Sequence, residues 1–128
     1  MTGVHSGPEV IMQIEIQALN FPMTHALRAH TERRLSFALN ASSRYVKRIL
    51  VRLSDINGPR GGNDKRCHLE VIMPGQAVIV EDTEADLYLA INRAASRAGR
   101  NVMRQLKRRR YLKRGYKPAY RALLEDIA

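Results

Sequence analysis

Arg93, Arg97, Arg100, Arg104 and Lys107 follow one another at intervals of 4, 3, 4 and 3 residues. At about 100° per residue, an α-helix gathers these five side chains into one stripe within roughly 80°. Leu87, Ile91, Ala94, Ala98, Val102 and Leu106 fall on another side, whose centre lies roughly 130° away. Such a helix buries one face and shows a row of cations about 20 Å long on another. The chemistry open to that row is anion recognition. Each guanidinium is a planar fork of donors that matches phosphate oxygens two at a time. The plainer reading is a solvated face, with cations drawn to the negative end of the helix dipole. That dipole reaches only the last turn, so it accounts for Arg108–Arg110 but not for Arg93 or Arg97. Nucleic-acid contact is the reading these residues favour.

The excess charge sits in the same place. The chain has 128 residues, 22 Lys and Arg, 12 Asp and Glu, and a net charge of +10. Residues 1–86 hold ten charges of each sign. Residues 87–124 hold twelve cations and no acid, and Glu125 and Asp126 remove two. Like charges at i,i+4 cost ~0.2–0.5 kcal/mol a pair, and here nothing within the segment offsets them. A polyanionic partner is the simplest reason to keep them.

No other residues make a reactive set. Cys67 and His68 are adjacent on a predicted strand, so they point to opposite faces. His5, His25 and His30 lack ligand spacing, so neither a metal nor a cofactor is expected. The stretch from Gly58 to Lys65 is Gly-rich and ends in Lys, but lacks the G-x-x-x-x-G-K-[ST] order. It reads as a hairpin loop that brings Arg60, Lys65 and Arg66 near phosphate. No Ser-His-Asp set or carboxylate pair can be argued, so an enzyme acting on nucleic acid or on a small-molecule substrate finds no support.

The length suits one domain. The longest apolar run is Leu87–Ile91, too short for a membrane span. No secretory signal is visible. One cysteine excludes an internal disulfide and fits a reducing compartment. The expectation is a cytoplasmic protein with no membrane partner.

The elements that must carry these residues follow from pattern. Ile11–Gln17 alternates as a half-buried strand and breaks at Asn20-Phe21-Pro22. Thr24 is a good N-cap for a helix from about His25 to Leu39. Leu27, Thr31, Leu35 and Ala38 form its core stripe, with His30 beside them. Asn40–Arg44 closes it. Tyr45–Leu53 reads as a strand burying Ile49, Val51 and Leu53, followed by a loop at Asp55–Asp64. Arg66–Met73 alternates again, and Pro74-Gly75 turns it into a strand at Gln76–Glu81. Thr83-Glu84-Ala85-Asp86 has capping-box spacing, which predicts a long helix from about Glu84 to Arg110. Glu81, Asp82, Glu84 and Asp86 then serve as caps and dipole partners at its start. The order is β-α-β-β-β-α. It predicts an α+β fold with a four-stranded mixed sheet and two helices packed on one face.

Several strings resemble the ribosome hibernation promoting factor family, also called ribosome-associated inhibitors or sigma-54 modulation proteins. Met12-Gln13-Ile14 resembles the family's usual start. Thr24-His25-Ala26-Leu27-Arg28 resembles its T-E-A-L-R. Asp86-Leu87-Tyr88-Leu89-Ala90-Ile91-Asn92 resembles D-M-Y-A-A-I-D. Arg97 to Arg104 aligns without a gap on K-L-x-R-Q-L-x-K. The resemblance covers Met12 to Arg110. It implies a non-catalytic protein that binds the small ribosomal subunit, on 16S-type rRNA, in the cleft where mRNA and tRNAs lie. The implied role is silencing whole ribosomes in stationary phase or stress. By position, Arg28, Arg34, Arg97, Arg100 and Arg104 stand at basic family sites; Arg93, Lys107 and Arg108 extend the predicted rRNA-binding set. There are departures. Phe37 stands where the family often has a second Lys. Gly99 lies inside a helix and, with Ala94, Ala95 and Ala98, points to close packing on the first helix.

The expected organisation is a flexible arm over residues 1–10, a ribosome-binding domain over 11–110 and a basic tail over 111–128. In the tail, Tyr111, Lys113, Arg114 and Tyr116 interleave aromatics with cations. Two readings stand side by side: stacking on single-stranded bases, or a loosely packed chain end. A monomer off the ribosome is expected. The rival reading is a stand-alone binder of structured RNA, because the plan contains the αβββα order of double-stranded-RNA domains.

Overall fold

The computed structural model describes residues 13–56 and 64–113, with side chains through Arg110. Strand β1 (Gln13–Leu19) alternates exposed and half-buried positions, with Ile14 and Ile16 against the core. It stops at Asn20, whose φ of 73° lies in the left-handed region, which Asn enters more readily than most residues. Helix α1 (His25–Ala38) starts where the Thr24 hydroxyl accepts the Leu27 N–H at 3.1 Å. It buries Leu27, Thr31 and Leu35. A short 3₁₀ helix (Asn40–Tyr45) leads into strand β2 (Arg48–Asp55). Strands β3 (Lys65–Met73) and β4 (Gln76–Glu84) meet at Pro74-Gly75, where Gly75 takes a φ of 76°. Helix α2 (Leu87–Lys113) closes the described chain.

The sheet order is β1-β2-β3-β4. β1 runs parallel to β2, which the α1 crossover permits, and the hairpin-joined pairs are antiparallel. The register lines up apolar rows on the inner face. One row is Ile14, Ile49, Val71 and Val78; the next is Ile16, Val51, Leu69 and Val80. A third row runs Ala18, Leu53, Cys67 and then Asp82. α2 lies across β3 and β4 with α1 beside it. Ala90, Ile91, Ala94, Ala95, Ala98 and Val102 are essentially inaccessible beneath α2. Each large side chain buried this way stabilises by roughly 1.5–3 kcal/mol.

Several boundaries depart from the sequence expectation. β1 reaches Leu19; Ile11 and Met12 lie outside the described residues. β2 begins at Arg48, not Tyr45, because Asn40–Tyr45 winds into the 3₁₀ helix and the Val46 N–H bonds Ser43 O. β4 continues to Glu84, and α2 begins at Leu87 rather than Glu84. The capping box therefore does not form. Thr83 and Glu84 are committed to the ladder opposite Arg66 and Lys65, and Asp86 caps instead, its Oδ1 accepting the Tyr88 N–H at 3.2 Å. α2 also runs past Arg110 to Lys113.

The helices meet closely. A Cβ at Gly99 would stand 2.6 Å from the Ala38 carbonyl oxygen. Nearby, His30 Nε2–H donates to Asn92 Oδ1 at 2.8 Å, and the Tyr88 ring stands edge-on to His30 at 4.7 Å. Gly99→Ala gains helix propensity of ~1 kcal/mol but must push backbone from backbone. A net loss of about 1–3 kcal/mol is expected, read as a Tm lowered by several degrees in a thermal melt.

Cys67 is buried on β3, and burial pushes its thiol up to about 12, with the Asp82 charge adding to the effect. The native protein at pH 8 is therefore expected to resist iodoacetamide until denaturant exposes the thiol. The unfolded thiol ionises first, so this group's contribution to stability falls as pH rises from about 9 towards 12.

Candidate nucleic-acid interface

α2 sets Arg93, Arg97, Arg100, Arg104 and Lys107 along one side, away from the buried stripe of Ile91, Ala94, Ala98 and Val102. α1 brings Arg34 to the same side. Two grooves result. One, of about 410 Å³, is lined by Arg34, Phe37, Ala38, Ser96, Gly99, Arg100, Met103, Arg104 and Lys107. The other, of about 270 Å³, is lined by Arg34, Asp82, Asn92, Arg93, Ser96, Arg97 and Arg100. Arg34, Ser96 and Arg100 border both, so they form one trough between the helices.

Tertiary contacts divide the row of cations. Arg97 donates to Asp82 Oδ2 and to the Glu81 carbonyl, both at 2.8 Å. Arg93 Nε stands 3.5 Å from Glu84 Oε2. Among the described residues, no carboxylate pairs with Arg100, Arg104 or Lys107. The first half of the row has carboxylate partners within the fold, Arg97 closely and Arg93 loosely, and the second half has none among the described residues. In the same trough the Nε atoms of Arg34 and Arg104 are buried without an acceptor.

The acids before α2 are not all helix caps, as the sequence suggested. Asp82 is a buried residue on β4, and its side chain is only 7% exposed. A lone carboxylate there would be costly, and the Arg97 fork compensates it. The Asp82 carboxylate, hydrogen-bonded to Glu84, holds the Glu84 carboxyl above the usual carboxylate range; burial adds to this and Arg93 opposes it. Glu81 faces the other side of the sheet, where its Oε2 lies 2.9 Å from His68 Nδ1. Sequence reasoning missed Asp82 as the partner of Arg97. The signal was the alternation Val78, Val80, Asp82, which puts all three on the inner face once the strand is carried past Glu81.

The remaining predicted residues are dispersed. Arg28 is exposed on α1 and lines neither groove; Arg108 is exposed near the end of α2. Arg109 Nη2 donates to the Pro74 carbonyl at 2.9 Å and ties α2 to the β3–β4 turn. Lys65, placed near phosphate by sequence, is engaged at 2.9 Å by Asp64 and 3.4 Å by Asp55. Arg60, Arg114 and Tyr116, and the side chains of Tyr111 and Lys113, lie outside the described residues. A larger cleft of about 1030 Å³ opens between the 3₁₀ helix and α2, with Tyr45, Met103 and Leu106 on its walls and Arg44, Arg109 and Arg110 around them. No cluster of His, Cys, Asp and Glu among the described residues is arranged to hold a metal, and no described helix is long and apolar enough to cross a membrane.

Comparison with known proteins adds to this geometry. The family model described as sigma 54 modulation protein / S30EA ribosomal protein matches residues 14–110. The crystal structure of the Thermus thermophilus Protein Y N-terminal domain is 32% identical, covering 73% of this chain and 98% of that one, with a TM-score of 0.59. A ribosomal subunit interface protein from Coxiella burnetii is 18% identical, covering 75% of this chain and 99% of that one, with a TM-score of 0.65, and shows a shared fold. Among curated proteins no match is found.

The divided row has a consequence that stability measurements can read. Arg97→Ala strips the nearly buried Asp82 of its charged donor and is expected to cost about 1–3 kcal/mol. Arg100→Ala removes no internal partner and is expected to stay within about 0.5 kcal/mol of the parent. Urea unfolding of the two variants checks the contrast.

Proposed function

The chain belongs to the sigma 54 modulation protein / S30EA ribosomal protein family, and from that premise we propose that it is a ribosome hibernation factor. In this reading it works in the cytoplasm and binds the small ribosomal subunit on rRNA in the decoding region. It blocks translation there in stationary phase or stress by occupancy alone, without catalysis or cofactor. Residues 11–110 are the binding unit, and the protein is a monomer when free.

The observation that carries this reading is the trough between α1 and α2. Arg34, Arg100, Arg104 and Lys107 line it without a carboxylate partner among the described residues. A fold that neutralises Arg93 and Arg97 but leaves these four unpaired has a surface suited to a polyanion. The cations also lie on two rigid helices whose separation is fixed at Gly99. Phosphate groups of a folded RNA can therefore be met without ordering the protein first. The αβββα order from α1 to α2 also favours the second reading, a stand-alone binder of double-stranded RNA. Sedimentation separates the two: a hibernation factor travels with ribosomal particles from starved cells and inhibits translation when added to an extract.

Two outcomes are expected on purified small subunits. With five to eight phosphates contacted, log affinity falls linearly with log salt at a slope of about −5, roughly a thousandfold over a fourfold rise in salt. The Arg100→Glu/Arg104→Glu/Lys107→Glu variant loses co-sedimentation while its circular dichroism spectrum stays that of the parent. A flat salt response, or binding by the folded triple variant, would count against the assignment.

A further inference from the structure

Phe37 is 75% exposed on the last turn of α1. A single exposed aromatic is ordinary by itself. Its surroundings are not. It forms one wall of the 410 Å³ groove whose opposite wall carries Arg100, Arg104 and Lys107. Arg34, three residues earlier on the same helix face, stands over the Phe37 ring with its guanidinium carbon 5.7 Å from the centroid. The ring thus has a cation beside it and is otherwise largely exposed. The floor is kept low by Ala38, Ser96 and Gly99, since larger side chains there would fill it. The groove volume lies within the roughly 300–1,000 Å³ usual for ligand clefts.

Two further facts specify the occupant. The groove is lined by four cations, Arg34, Arg100, Arg104 and Lys107, and among the described residues none of them has a carboxylate partner. An occupant with anionic oxygens meets three guanidinium groups, those of Arg34, Arg100 and Arg104, along the groove. The exposed phenyl ring suits a flat π-system, and the groove lining holds no carboxylate or side-chain amide to read hydrogen-bonding edges. Phosphate oxygens and a flat ring on one ligand describe a nucleotide. We propose that this groove is a subsite for one unpaired nucleotide of the bound RNA. Its base stacks on Phe37, and its flanking phosphates lie against Arg34, Arg100 and Arg104. The proposal rests on the RNA-binding reading above and adds a stacking contact that paired bases in a helix do not offer.

The test uses the full chain with Phe37→Ala, Phe37→Leu and Phe37→Tyr, each checked for an unchanged thermal melt. The probes are a single-stranded oligoadenylate, an RNA duplex with the same number of phosphates, and purified small ribosomal subunits. Phe37→Ala and Phe37→Leu are expected to weaken binding to the single strand and to the subunit about 5- to 150-fold, the range alanine substitution gives for base–aromatic stacking. Phe37→Tyr keeps its ring and stays near the parent, and none of the three changes duplex binding. Parent-like binding by Phe37→Leu reveals a plain apolar contact and overturns the stacking subsite. Equal losses on duplex and single strand overturn it too. A loss on the subunit alone points to a ribosomal protein against Phe37 and also overturns it. The RNA-binding reading has a separate control: if parent and Arg100→Glu bind subunits equally, that reading fails, whatever Phe37 does.

Discussion

The contact that everything else depends on is the approach of α2 to the end of α1 at Gly99. With no Cβ on residue 99, the helix backbone comes so near the Ala38 carbonyl that a methyl group would stand 2.6 Å from it. Ala94, Ala95 and Ala98, in the turn before it, are fully buried as well. Close helices bring Arg34 of α1 within the same trough as Arg100 and Arg104 of α2. Larger residues at the contact would hold the helices apart and split one cationic surface into two. The glycine weakens the helix locally by ~1 kcal/mol relative to alanine, and the packing it permits supplies the geometry of the trough.

A second interaction sets which cations are paired within the fold. The inner face of the sheet is apolar through Val78 and Val80 and then turns acidic at Asp82. That carboxylate must be paired, and Arg97 is the donor that reaches it, at 2.8 Å. The same guanidinium bonds the Glu81 carbonyl, so Arg97 fastens the middle of α2 to the sheet edge. Arg93 leans on Glu84 more loosely, at 3.5 Å and with its side chain 61% exposed. Such an exposed pair contributes little. A stripe that looks uniform along the helix is therefore graded, from structural at Arg97 to unpaired at Arg100, Arg104 and Lys107.

Much of the fold was legible because its signals are local. Alternation at Ile49, Val51 and Leu53 and at Cys67, Leu69, Val71 and Met73 marks strand faces without reference to any partner. Thr24 caps α1 through its own hydroxyl, and Pro74-Gly75 turns the chain through its own dihedral preferences. The errors fell where two local signals compete. Thr83 to Asp86 has the spacing of a capping box, yet Thr83 and Glu84 also extend β4, and pairing with β3 decided for the strand. Tyr45 and Val46 have strand propensity, but the chain leaving α1 needed a 3₁₀ turn first. Neither outcome can be read from a window of ten residues, because the deciding partner lies elsewhere in the chain.

The sequence by itself determined the element order, the buried stripe of α2 and the spacing that lines up five cations. These depend on helical and pleated periodicity, which each segment carries within itself. It also determined that charge is concentrated from Arg93 onwards, since composition needs no fold. Only the tertiary structure decided which of those cations have a carboxylate partner within the fold. Pairing is a property of distance, and Asp82 is 15 residues from Arg97 in sequence but 2.8 Å away in space. The meeting of Arg34 and Phe37 with Arg100 and Arg104 was decided in the same way. No periodicity links α1 to α2; the close approach that the missing Cβ of Gly99 permits against Ala38 does.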